Sequence, residues 1–194
     1  MDRLQKQLDF IVEVDKMKHI YRQNFIADGS RRENDAEHSW HLAIMSIILS
    51  EHVKEASIDV LKVVKMVIIH DIVEIDAGDT FLYDVTHNLD KEEREEQSAK
   101  RIFGLLPSDQ HEELQSLWQE FEARESLEAK YAAAIDGLHP LINNYITKGA
   151  GWIKHGVKAE DVIRKKLYIK SSAPLLWDYA HSLIIKSKEK GYLL

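Results

Sequence analysis

The chain has 194 residues, 44% of them hydrophobic and 30% charged, with a formal net charge of −7, which describes an ordinary globular protein able to bury a sizeable core. That acidity argues against coating a nucleic-acid polymer, and the absence of cysteine excludes a disulfide framework, a thiol nucleophile and a Cys-ligated zinc knuckle while suiting a reducing cytoplasm. Eight glycines and three prolines are too few for a turn-rich sandwich or barrel, so helices are favoured.

No signal-like apolar region follows the Met1 start, and the longest nearly apolar run, Val60 to Ile69, contains Lys62 and Lys65. It falls far short of the ~20 residues a spanning helix needs, so no membrane association is expected. No composition break divides the chain, and the expectation is a single domain over residues 1–194, all-α, with roughly seven or eight helices.

Leu4, Leu8, Ile11, Val12, Met17 and Ile20 fall near helical spacing and predict an amphipathic helix ending before Tyr21. A loop at Ala27-Asp28-Gly29-Ser30 leads to Arg31-Arg32. Asn34 with Glu37 three residues on has the form of a capping box, opening a helix with Trp40, Ile44, Ile47 and Ile48 on one face and His38 in its first turn. Ser57 and Asp59 are candidate caps for the next helix, whose Val60, Val63, Val64, Val67 and Ile68 predict the central helix of the fold.

That helix runs into His70-Asp71 and stops near Gly78. Phe81 to Leu89 reads as a connector, and Asp90 with Glu93 predicts another capped helix as far as Gly104. A helix with Leu114, Leu117, Trp118 and Phe121 follows Pro107. After Ser126 comes one of high intrinsic propensity through Tyr131 to Tyr145, with a kink expected near Asp136, because Pro140 cannot donate to that carbonyl. Gly149 to Gly156 reads as a loop, Ala159 to Ile169 as a helix, and Ser171 to Pro174 as the start of the last helix. No alternating strand pattern or internal repeat is evident.

The stretch from Val67 to Asp79, V-I-I-H-D-I-V-E-I-D-A-G-D, sets His70, Asp71, Glu74 and Asp79 at the end of an otherwise apolar helix. Taken alone, a His-Asp pair is an ordinary hydrogen-bonded helix end. Joined by His38 and by Asp136 it becomes two imidazoles and two carboxylates, a set able to bind one divalent ion with room for water. Glu74 lies four residues after His70 and three after Asp71, which places it on their helix face.

The order H…HD…D resembles the HD-domain metal-dependent phosphohydrolases. Arg31-x-Glu33-x3-Glu37-His38-Ser39, His70-Asp71-x2-Glu74-x4-Asp79 and Ile135-Asp136 together are similar to the bacterial 5'-deoxynucleotidase subgroup, over roughly residues 15 to 145. The resemblance implies a helical HD bundle with His38, His70, Asp71 and Asp136 as ligands of one divalent metal (Mn, Co, Zn, Fe, Ni or Mg). It also implies Glu74 and Asp79 beside the attacked phosphate. Where the characterised deoxynucleotidases carry an Arg-Trp pair after the first helix, this chain has Arg22-Gln23. Arg22 and Arg31 are the candidate substrate-binding arginines, with Arg31 preferred, since a guanidinium suits bidentate phosphate contact. His41, His139 and His155 lie near the pattern without matching it and read as structural or solvent-facing.

The expected reaction is release of phosphate from a nucleoside monophosphate or another small phosphate ester by a metal-activated water, with Glu74 or Asp79 orienting it or moving a proton. The alternatives are a nucleotide pyrophosphohydrolase and a regulatory nucleotide-binding module without turnover. A homodimer is expected, with aromatics near Trp152 and Trp177 as candidates for its interface.

Overall fold

The computed structural model describes residues 3–54, 57–84 and 89–194. Within them the chain forms α1 (Arg3–Val14), β1 (Tyr21–Phe25), β2 (Arg32–Asn34), α2 (Asp35–Ile48), α3 (Val60–Ile69), α4 (Glu74–Ala77) and α5 (Lys91–Phe103). There follow α6 (Ser108–Ala123), α7 (Leu127–Ile146), α8 (Ala150–His155), α9 (Ala159–Lys166), α10 (Ile169–Ser172) and α11 (Pro174–Glu189). Among the described residues eight helices have eight or more residues, as the apolar periodicity predicted, and α4, α8 and α10 are short.

The helix starts follow local chemistry. The Asn34 side chain accepts from the Glu37 N–H while the Glu37 carboxylate accepts from the Asn34 N–H, completing the capping box that begins α2. Asp59 caps α3 through the Lys62 N–H and Ser126 caps α7 through the Ala129 N–H. Asp90 flanks α5 without capping it, because its carboxylate is taken by the Arg94 guanidinium. Pro174 occupies the first turn of α11, where its missing N–H costs nothing.

Several expectations need correction. Tyr21–Phe25 and Arg32–Asn34 pair as a two-stranded antiparallel hairpin whose strands are too short and polar to show alternation, and whose turn uses Gly29 at φ +72°. The expected loop from Gly149 to Gly156 contains α8, bounded by both glycines in left-handed conformation. The predicted helix 159–169 breaks after Lys166 and resumes as α10. Trp152 and Trp177 are buried within the chain and offer nothing to a partner. Of the Phe81–Leu89 connector, residues 85–88 lie outside the described residues.

The 20-residue α7 is the axis of the bundle, packed on α2, α3, α6, α8, α10 and α11. Its buried Ala129, Ala132, Ala133 and Ala134 let neighbouring helices approach closely, and the helix continues through Pro140. The expected central helix α3 packs on α2, α6 and α7 with Val63 and Val67 fully buried, but leaves Leu61 and Ile68 exposed. After Ile69 it tightens into a 3-10 segment, His70–Val73, and then continues as α4. Such a mid-helix change of pitch turns successive side chains away from the phase of the preceding helix.

Because the Asn34 cap anchors the turn that carries His38, Asn34→Ala is expected to lower stability by about 1 kcal/mol. The measurement is the urea midpoint at constant slope. An unchanged midpoint would deny the cap any energetic role.

Candidate metal centre and active site

Three elements bring the polar residues together: the first turn of α2, the 3-10 segment after α3, and the middle of α7. His38 Nε2 lies 3.0 Å from Asp136 Oδ1 and 3.9 Å from Asp71 Oδ2. His70 Nε2 lies 3.1 Å from Asp71 Oδ1 and 3.8 Å from Asp136 Oδ1, but none of these contacts has hydrogen-bond geometry, so this buried nitrogen has no partner. The candidate ligand atoms of His38, His70 and Asp136 all lie within 4.8 Å of one another, close to the span two ligands reach across one ion at bond lengths of about 2.0–2.3 Å. Asp71 sits beside them and also belongs to a second tight acidic group with Asp35 and Glu74.

The donor set fits a divalent cation on two further grounds. His70 Nδ1 lies 3.0 Å from the Val67 carbonyl, to which its N–H donates, leaving Nε2 facing the carboxylates. Burial opposes a charge on His70, yet Asp71 and Asp136 override it and push the imidazole up to about 9. In the same way burial opposes ionisation of Asp136, but the His38 hydrogen bond and the nearby His70 imidazole hold it well below the usual carboxylate range. The pocket therefore attracts positive charge at the position the two rings share.

Behind His38 runs a chain that sequence reading did not join. His38 Nδ1 is 3.0 Å from His139 Nδ1, and His139 Nε2 is 3.1 Å from His41 Nδ1 and 3.6 Å from Glu33 Oε1, with the Asn143 amide 3.2 Å away. Burial, with the neighbouring His38 and His41, keeps His139 well below the ordinary histidine value and hence neutral. A cation on His38 Nε2 requires the ring proton on Nδ1, from which it donates to His139 Nδ1; His139 then directs its Nε2–H toward His41 and Glu33. A buried partner of this kind fixes a ligand's tautomer and ring plane. Its sequence signal is spacing: His139 falls three residues after Asp136 and His41 three after His38, so each pair shares a helix face.

Arg22, on β1, reaches in from the hairpin and bridges Asp35 at 3.1 Å and Asp71 at 2.6 Å. Arg31 is not brought to the site. It is exposed and grips Glu37 with both terminal nitrogens at 2.8 and 2.6 Å, buttressing the capping box. Asp35 was missed from sequence, although its position three residues before His38 put it on that ligand's face.

Glu74 and Asp79 both line a cavity of about 250 Å³ that opens onto His70, Asp71 and Asp136. Burial, reinforced by Asp71 and Asp35, pushes the Glu74 carboxyl well above the usual carboxylate range, and one Glu74 oxygen is buried without a partner. Asp79 follows Gly78, whose φ of +75° turns the chain out of α4, and burial raises its carboxyl also. Phe81, Tyr83, Pro140, Asn144 and Lys166 line the rest.

A buried His2Asp2 cluster in a helical bundle defines the class, and the chain belongs to the HD-domain family, whose model matches residues 14–177. The structure of a predicted metal-dependent phosphohydrolase from Magnetospirillum magnetotacticum MS-1 is 49% identical with a TM-score of 0.94, covering 98% of this chain and 95% of that one. A conserved hypothetical protein from Pyrococcus furiosus is 25% identical with a TM-score of 0.62, covering 94% of this chain and 99% of that one. The human 5'-deoxynucleotidase HDDC2 is 30% identical over 130 residues, 66% of this chain and 62% of that protein. The match thus spans less than two thirds of that relative's length.

His139→Ala is expected to weaken divalent-ion binding by roughly 10- to 100-fold, with His139→Gln, which keeps an acceptor, nearer to wild type. Calorimetric titration with Mn²⁺ measures this. Equal dissociation constants in all three proteins would detach His139 from the centre.

Proposed function

We propose that this protein is a metal-dependent phosphohydrolase that releases phosphate from a nucleoside 5'-monophosphate, with His38, His70, Asp71 and Asp136 holding one divalent ion. The carrying observation is the convergence of these four side chains from three separate elements, with His70, Asp71 and Asp136 opening onto a cavity that Glu74 also lines. The similarity to a 5'-deoxynucleotidase supports the nucleotide substrate. A bound divalent ion would supply an acidified water and polarise the phosphoryl oxygen.

The chain's own groups do the remainder. Glu74 faces the cavity one turn after Asp71, placed to accept a proton from the attacking water and return it to the leaving alkoxide. Arg22 neutralises Asp35 and Asp71, which would otherwise repel a phosphate, and its position on the cavity wall lets it meet a phosphoryl oxygen. Asp79 lines the same wall and orients the water or the sugar. Phe81 and Tyr83, whose ring centroids are 5.3 Å apart, offer an aromatic surface for a base.

We assign the protein to the cytoplasm, since it has no cysteine and none of its described helices is long and apolar enough to cross a membrane. We also assign it a homodimer, now through α2 rather than the buried tryptophans. Trp40, Ile44, Ile47 and Ile48 form an apolar stripe that is 66%, 45%, 52% and 65% exposed, a pattern that marks an interaction face on a helix whose other side is core.

Glu74→Gln should leave Mn²⁺ content near one per chain and lower kcat for nucleoside monophosphates by about 10²- to 10⁴-fold. Loss of metal together with activity would make Glu74 a ligand, and unchanged kcat would transfer its role to Asp79. Ile44→Asp combined with Ile48→Asp should convert the dimer to a folded monomer in sedimentation. A double mutant sedimenting as wild type would rule out that face.

A further inference from the structure

Lys166 closes α9 and stands at the cavity wall, with only 8% of its surface exposed. Every other cation of that wall has an occupation: Arg22 bridges Asp35 and Asp71, Lys91 is 3.3 Å from Glu95, Lys165 donates to the Leu82 carbonyl at 2.9 Å, and Arg124 lies 4.9 Å from the centre of the Tyr168 ring. Lys166 has no hydrogen bond or ion pair with any described residue, and its nearest aromatic contact is Tyr168, 6.0 Å from ring centroid to Nζ. With its stem buried and no anion beside it, this ammonium is left to face the cavity, where an anionic ligand would meet it.

Lys166 lines the same cavity as His70, Asp71 and Asp136, and burial lowers its pKa to about 8 against the opposing charge of Asp136. Two residues on, the Tyr168 side chain packs closely on α7: a Cβ on Gly137, the residue after Asp136, would lie 2.3 Å from the Tyr168 hydroxyl.

We propose that Lys166 is a further catalytic residue that binds an oxygen of the substrate's phosphate group and carries part of the negative charge that develops there. The inference rests on the phosphohydrolase reading and adds to it the group that receives the phosphate dianion in an otherwise acidic pocket. Lysine suits this task as a point charge on a flexible stem, and such a donor in a water-poor site acts on the transition state more than on the ground state.

The test compares wild type, Lys166→Met and Lys166→Arg for Mn²⁺ content, melting temperature, steady-state phosphate release from nucleoside monophosphates, and calorimetric binding of inorganic phosphate to the Mn²⁺-loaded protein. Lys166→Met should keep metal and melting temperature, lose about 10²- to 10³-fold in kcat, and bind inorganic phosphate at least about tenfold more weakly. Lys166→Arg should recover part of both. Unchanged phosphate binding in Lys166→Met overturns the proposal, including the case where only KM for the nucleotide rises, which would assign Lys166 to the base or sugar. If wild type releases phosphate from no ester, the phosphohydrolase reading fails, and the phosphate-binding comparison still decides whether Lys166 receives the anion. Should Lys166→Met fail to fold, Lys166→Gln is read in its place.

Discussion

The crowding of carboxylates beneath the α3–α4 junction is the constraint on which the site depends. Asp35, Asp71 and Glu74 are buried, and the half-buried Asp136 and Asp79 stand next to them on the cavity wall. Ionised carboxylates so placed repel one another, and the protein answers with Arg22 on two of them, while the same crowding raises the His70 imidazole and the Glu74 carboxyl above their ordinary values. Each is a partial solution to one excess of negative charge. A divalent ion held by His38, His70, Asp71 and Asp136 would offset it more completely, and by linkage an ion that binds only the folded chain would also stabilise it.

The helical frame makes that crowding possible without unfolding the protein. α7 supplies Asp136 and His139 on the face that α2 approaches with His38, its buried alanines let neighbouring helices come close, and the 3-10 segment after α3 brings His70 and Asp71 to the same place. The hairpin between α1 and α2 serves the same end, because β1 projects Arg22 across to Asp71 while β2 leads directly into the capped turn that holds His38. A residue type does not by itself decide such a role. Arg22 and Arg31 carry the same guanidinium, but one meets two buried carboxylates and the other an exposed Glu37 six residues away.

That contrast explains what could be read in the chain beforehand. His38, the His70-Asp71 pair and Asp136 could be picked out because their order, H…HD…D, resembles that of the HD-domain family, whereas the local pattern around each is that of an ordinary helix start, helix end or helix interior. The hairpin was not, since strands of five and three residues with polar sequence carry no period. α8 was hidden for a related reason, because two flanking glycines signal a break while six residues are too few to show helical spacing. Apolar periodicity also misled at α2, where a stripe that would ordinarily mark the buried face is the exposed one. There Leu42, Met45 and Ser46 face the core beside His38, so the helix is apolar on two sides, and periodicity cannot tell which of them meets the protein's own core.

Lys166 and the His38–His139–His41 chain were beyond sequence for a different reason: their meaning lies in which groups they do or do not touch. Those contacts also imply an order of events. A phosphate dianion entering a cavity lined by Asp71, Glu74, Asp79 and Asp136 meets repulsion that Arg22, shared between two carboxylates, and the engaged Lys91, Arg124 and Lys165 offset only in part. With a divalent ion in place the four candidate ligands become a centre of reduced negative charge, and the cavity then presents cations to a dianion from the ion, from Arg22 and from Lys166 together. The electrostatics thus favour the cation first and the phosphate second, and they make the acidic residues that attract the ion the same ones that exclude phosphate until it has arrived.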